Sequence, residues 1–143
     1  MKKKTQMETM ELANLMENSI LSVDEAANSI RFYEELGGML LIEMGRKNMT
    51  VDMLADFSCV NRNTVYKTLR GTMHPEKDTI LRWAFVLEMT VENAQRMLKT
   101  ASVGALSAHV RRELYLLNGL AKHYDLERMN RLLIDNGFKP LLK

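Results

Sequence analysis

Apolar residues recur at helical spacing along most of the chain, broken by short polar stretches. Met7, Met10, Leu12, Leu15, Met16, Ile20 and Leu21 mark a first amphipathic stretch with acids between them. Ser22 and Glu25 have the spacing of a capping box, so a second helix start is expected at residue 22, with Val23, Ala26, Ala27 and Ile30 on one side. Leu36, Leu40, Leu41 and Met44 form an apolar stripe ending near Arg46, Lys47 and Asn48, residue types suited to a helix C-terminus. Thr50 is an N-cap for a short helix containing Met53, Leu54, Ala55 and Phe57. Ser58-Cys59-Val60 makes a tight break, after which Asn61 caps a third helix through Val65 and Leu69, stopped by Gly71. A loop around Pro75 leads to a fourth helix starting at Lys77 or Asp78, with Ile80, Leu81, Ala84, Phe85 and Leu87 inside and Trp83 facing the core. Thr90 caps a fifth helix holding Val91, Ala94, Met97 and Leu98. Five short helices are therefore expected over residues 36–101.

A weak internal match extends the pattern. The ten residues from Thr90 align with the ten from Asp125 at an offset of 35, both being capped helix starts with apolar residues at equivalent positions. Two amphipathic helices resemble each other by composition alone, and one pair is too few for a solenoid. The pattern does predict a second helical hairpin over 108–137, stacked on the first.

Composition sharpens the fold class. The chain has 143 residues, of which 46% are hydrophobic and 27% charged, which places it among folding chains. Only 2 Pro and 7 Gly interrupt it, while 12 Met and many Leu, Glu, Lys and Arg favour helix, so the class is all-α. One Cys excludes an internal disulfide and suits a reducing compartment. No stretch approaches the roughly 18 consecutive apolar residues of a membrane span. Lys2-Lys3-Lys4 is followed by Glu8, Glu11 and Glu17 where the apolar core of a secretion signal would lie, so a cytoplasmic location is expected.

The net charge of +2 conceals an uneven distribution. Residues 5–35 carry seven acids against Arg31 alone, whereas residues 57–75 carry Arg62, Lys67 and Arg70 and no acid. Residues 103–143 hold seven Lys or Arg against four acids. A solvated helix face accounts for such a bias, but a local basic face also attracts phosphate whatever the whole-chain sum. The organisation read from these shifts is an acidic, amphipathic helical segment (1–34), a central helical domain (35–102) and a helical hairpin extension (103–143).

The stretch from Thr50 to Gly71 joins charge to architecture. Two short helices separated by a three-residue turn describe a helix-turn-helix. Ala55 is small enough for the crossing, and Val60 and Val65 fill the space between the helices. The second helix would then expose Arg62, Asn63, Tyr66, Lys67 and Arg70 on one face. Arg and Lys suit the acceptors of guanine, and Asn suits adenine. Asn61 and Thr64, with the amides of the helix N-terminus, can hold phosphates.

Residues 36–101, about half of the chain, resemble the Cro/cI (XRE-type) repressor family. The resemblance rests on Gly37, Leu40, Thr50, Leu54, Ala55, Val60, Val65 and Gly71, and continues through Pro75, Asp78 to Leu81, Ala84, Leu87 and Thr90-Val91. It implies a five-helix lambda-repressor-like domain whose third helix lies in the major groove, acting as a dimer on a two-fold site. By position it implies base contacts from Arg62, Asn63 and Lys67, with Tyr66 on the same face as a further base-contact candidate. Thr50, Asn61, Thr64 and Arg70 are then backbone contacts. The chain departs from the family at Cys59, where the turn usually has Gly, and at Val51, often a phosphate-touching Gln. Met44 and Leu69 replace an Arg–Glu pair jointly, which strands no buried charge, and Thr68 stands at a usually aliphatic position.

Other chemistry finds little support. His74, His109 and His123 are scattered and Cys59 has no companion at metal-site spacing, so no metal or other cofactor is expected. Gly37-Gly38 follows no strand, and no nucleophile context surrounds any Ser, so no enzyme is expected. Cys59 is read as a small buried residue rather than a redox sensor. Arg111-Arg112 can meet DNA, a partner's acids or water, with water the default. The expected function is a double-stranded-DNA-binding transcriptional regulator, a repressor and homodimer. The alternative is a protein-interaction module of the same fold, using its N-terminal or C-terminal helices.

Overall fold

A computed structural model describes residues 35–142, and the helices expected before residue 35, with their Met7, Met10 and Met16 stripe, lie outside the described residues. Seven helices follow in order: α1 (Leu36–Arg46), α2 (Val51–Ser58), α3 (Arg62–Arg70), α4 (Lys77–Val86), α5 (Val91–Thr100), α6 (Arg111–Ala121) and α7 (Leu126–Asp135). No strand occurs among the described residues, so this part of the chain is all-α. Four starts are capped by side chains. Thr50, Asn61, Thr90 and Asp125 each accept a hydrogen bond from a first-turn amide, at Met53, Asn63, Asn93 and Arg128 respectively.

The helix ends share one construction. Every helix is followed by a left-handed residue, in order Asn48, Cys59, Gly71, Glu88, Ser102, His123 and Gly137. The next residue donates its amide back to a carbonyl five positions earlier: Met49 to Met44, Val60 to Ala55, Thr72 to Lys67, Met89 to Ala84, Val103 to Leu98, Tyr124 to Gly119 and Phe138 to Leu133. This six-to-one bond defines a Schellman end, which satisfies a terminal carbonyl and turns the chain back toward the core. Apart from Thr72, the donating residues are apolar and pack on the core, buried at Val60 and Met89. Gly occupies the left-handed position only at Gly71 and Gly137; the other residues accept a cost of about 1 kcal/mol each.

One buried cluster runs from Leu36 to Leu141 and takes in every helix. Leu40, Leu54, Val65, Ile80, Leu81, Trp83 and Leu98 lie at its centre with no exposed surface. The α1 stripe is rotated from the expected one: Leu36, Met39, Leu40 and Met44 are buried whereas Leu41 is 39% exposed. Gly37 sets this rotation, because a Cβ there would lie 2.6 Å from the Leu69 carbonyl oxygen and 2.8 Å from that of Thr68. The close approach of α1 to the end of α3 therefore requires glycine. Thr68 is buried and donates its hydroxyl to the Thr64 carbonyl, so a hydroxyl is accommodated at this position without an unsatisfied group.

The expected hairpin over 108–137 is present as α6 and α7, lying against α4 and α5. Burial of Leu116, Leu120, Met129 and Leu133 supplies its packing. Polar bonds fix its position. The Arg112 guanidinium binds both carboxylate oxygens of Asp78, at 3.2 and 3.0 Å, and Lys77 donates to Glu113 at 2.8 Å. Gln95 both donates to and accepts from the Leu106 backbone, and Asn130 does the same with Leu142. Arg82 closes the arrangement, donating Nε to the Leu141 carbonyl at 2.7 Å and a terminal nitrogen to the Cys59 carbonyl at 3.3 Å. The end of the chain is thus tied to the turn between α2 and α3. No helix among the described residues is long and apolar enough to cross a membrane.

Candidate nucleic-acid interface

The α2–turn–α3 unit is built as its residues suggest. Thr50 caps α2 and Asn61 caps α3, leaving a turn at Cys59-Val60. Cys59 adopts φ 56 and ψ 36, the left-handed geometry for which glycine is the ordinary choice. Its side chain is exposed, which corrects the expectation of a buried cysteine: a left-handed residue at a helix end projects away from the packed face, and Val60 turns inward in its place. Ala55 and Val60 are buried and Val65 has no exposed surface, filling the space between the two helices.

The opposite face of α3 is open. Arg62, Asn63, Tyr66, Lys67 and Arg70 are exposed there, with Thr64 half-buried at the edge. Arg62 and Asn63 stand on the first turn, Tyr66 and Lys67 on the second and Arg70 at the end, so one stripe runs the length of the helix. Asn61 accepts from the Asn63 amide at 2.7 Å, which commits its carbonyl oxygen and leaves its amide hydrogens to donate. Thr50 accepts from the Met53 amide at 3.1 Å, and its own hydroxyl hydrogen can point outward.

Two side-chain pairings at this face were not expected from the sequence. The Arg62 guanidinium pairs with the Asp52 carboxylate of α2 at 3.1 Å, both side chains being more than half exposed. The Arg70 side chain curls back along α3: its Nε donates to the Tyr66 carbonyl at 3.4 Å and its guanidinium carbon lies 5.8 Å from the Tyr66 ring centre. On α2, Phe57 is 57% exposed and Met53 38% exposed. The ten-residue separation of Asp52 and Arg62 matches no helical period, so only the folded turn reveals their pairing. The Arg70–Tyr66 spacing of four residues is a same-face signal that periodicity could have supplied.

The face therefore presents cations and amides able to donate to acceptors, with Asp52 and Asp56 exposed on the neighbouring helix as local counter-charges. Among the described residues, no group of three His, Cys, Asp or Glu is placed to hold a metal ion. No known family, curated protein or solved structure matches the chain.

Proposed function

We propose that this chain is a sequence-specific, double-stranded-DNA-binding transcriptional regulator of lambda-repressor-like architecture, acting in the cytoplasm as a dimeric repressor on a two-fold site. The observation that carries this reading is the exposed stripe of α3, where Arg62, Asn63, Tyr66, Lys67 and Arg70 stand on a helix whose other face is buried against α1 and α2. A helix about 10–12 Å across fits the major groove. Arg62, Asn63 and Lys67 then face base edges and Tyr66 lies beside them, while Thr50, Asn61, Thr64 and Arg70 meet phosphates.

A second reading is favoured by the 57% exposed Phe57 on α2, an aromatic of the type enriched at protein interfaces, while Asp52 and Asp56 beside it repel phosphate. Salt separates the two. Phosphate contacts release counterions, so duplex affinity falls by on the order of tenfold or more between 50 and 200 mM salt if the three α3 cations engage DNA. Absence of duplex binding at 50 mM salt contradicts the DNA reading and leaves the protein-interaction reading standing.

A further inference from the structure

The chain enters α1 beside the C-terminal end of α3. A Cβ at Gly37 would lie 2.6 Å from the Leu69 carbonyl oxygen, and Glu35 shares a recess of about 350 Å³ with Gly71 and His74, just past α3. The residues before 35 are therefore tethered at one end of the exposed stripe that carries Arg62, Tyr66, Lys67 and Arg70. That stripe is short, because the nine residues of α3 rise only about 14 Å. About five extended residues span such a distance, so the chain preceding Glu35 is more than long enough to lie along it.

Charge and apolar content both match that chain to the stripe. Residues 5–30 carry Glu8, Glu11, Glu17, Asp24 and Glu25 and no Lys, Arg or His, whereas residues 57–75 carry Arg62, Lys67 and Arg70 and no acid. A carboxylate already sits at this face, since Asp52 meets Arg62 at 3.1 Å, which leaves Lys67 and Arg70 as the cations nearest the tether. Met7, Met10, Leu15 and Met16 lie among the acids, and Tyr66, Met53 and Phe57 are exposed beside the cations. Methionine adapts well to such irregular surfaces. We infer that residues 5–30 dock across the exposed face of α3, with carboxylates on Lys67 and Arg70, and so compete with DNA for this helix. The competition rests on the DNA-binding reading above; the docking rests on the tether and the charges alone. Exposed ion pairs are individually weak, but a short tether supplies an effective concentration of about 1 mM. A contact with a dissociation constant of about 0.1 mM would then occupy α3 about nine-tenths of the time and lower duplex affinity about tenfold.

Cys59 supplies the probe, being the one cysteine of the chain, exposed, and placed at the turn leading into α3. With a nitroxide attached there on the full chain and no DNA present, amide signals within residues 5–30 should broaden at about 50 mM salt. They should recover at about 500 mM, where the Debye length is only a few ångströms. Neutralising the five acids together (Glu8→Gln, Glu11→Gln, Glu17→Gln, Asp24→Asn and Glu25→Gln) should abolish the broadening. The same variant, unlabelled, should bind duplex about tenfold more tightly than the native chain at about 50 mM salt. Signals that never broaden, or broadening that survives neutralisation, overturn the inference. Docking that vanishes on neutralisation while duplex affinity stays unchanged overturns the competition. Docking as described in a chain that binds no duplex in either form overturns the proposed function and leaves the docking in place.

Discussion

The Arg62 guanidinium, at the first position of α3, is held 3.1 Å from the Asp52 carboxylate of α2. The contact spans the turn and gives the leading cation of the exposed stripe a fixed direction before any ligand arrives. It also competes for that cation. An exposed pair of this kind contributes little to stability, roughly 0.2–1 kcal/mol, so its importance lies in what Arg62 does next.

Releasing Arg62 should therefore change binding more than folding. Asp52→Asn is expected to leave the melting temperature nearly unchanged, raise affinity for unrelated duplexes by about two- to fivefold, and narrow the gap between preferred and random DNA. Competition binding with a selected site against random duplex measures both effects. Unchanged selectivity would show that Asp52 does not position Arg62.

The close contact of α1 with α3 gives a sharp packing test. Gly37→Ala drives a Cβ to 2.6 Å from a backbone carbonyl oxygen, which no rotamer change relieves. A loss of about 1–3 kcal/mol in chemical denaturation is expected. Gly119→Ala meets the Met129 sulfur at the flexible part of a side chain, so it should cost less. An equal or reversed ranking would contradict the packing described.

The left-handed helix ends predict gains as well as losses. Ser102→Gly removes a side chain from φ 60 and should stabilise the chain by up to about 1 kcal/mol. Gly71→Ala, at φ 76, should cost a similar amount. Thermal melts of the two variants, read against the native chain, give opposite signs if the Schellman ends are as described.

Two carboxyls titrate with opposite consequences. Burial pushes Glu43 above its ordinary range, against the opposing pull of Arg46, the Asn93 amide and Arg96. Ionising it thus costs the folded state, and stability falls as pH rises through its raised value. Glu113 is also raised by burial, but the hydrogen bonds from Lys77 and the Ser107 amide, with the charges of Lys77 and Arg112, outweigh this and hold it below its ordinary value. Its contribution is present above the usual carboxylate range and is lost as pH falls through the lowered value. Glu113→Gln should therefore cost about 1–2 kcal/mol at neutral pH and much less in acid. Glu43→Gln should remove the decline of stability as pH rises through the raised value of Glu43. Denaturation midpoints across pH 3–8 for both variants distinguish the two signs.

The sequence was most readable where one residue type answers one local need. Thr50, Asn61, Thr90 and Asp125 act as caps because a short side-chain oxygen must meet a first-turn amide. The five helices between residues 36 and 100 follow from those caps and the apolar spacing. The left-handed ends at Glu88, Ser102 and His123 were not readable, because glycine announces that conformation and these residues do not. The burial of Met39 in place of Leu41 was hidden for a different reason: several stripes fit an α1 that is apolar over much of its surface, and the fit of Gly37 against α3 selects one. At the candidate interface the exposed α3 stripe was legible from spacing of one, three and four residues. The Asp52–Arg62 pair was not, since it depends on how the turn folds.

The central claim is that α3 reads DNA sequence, and selection from random duplexes with the native chain and with Arg62→Ala/Lys67→Ala tests it most directly. The native chain should enrich a palindromic motif, and the double variant, with its helix content intact, should enrich none. Failure of the native chain to enrich any motif, or recovery of the same motif by both proteins, would contradict it.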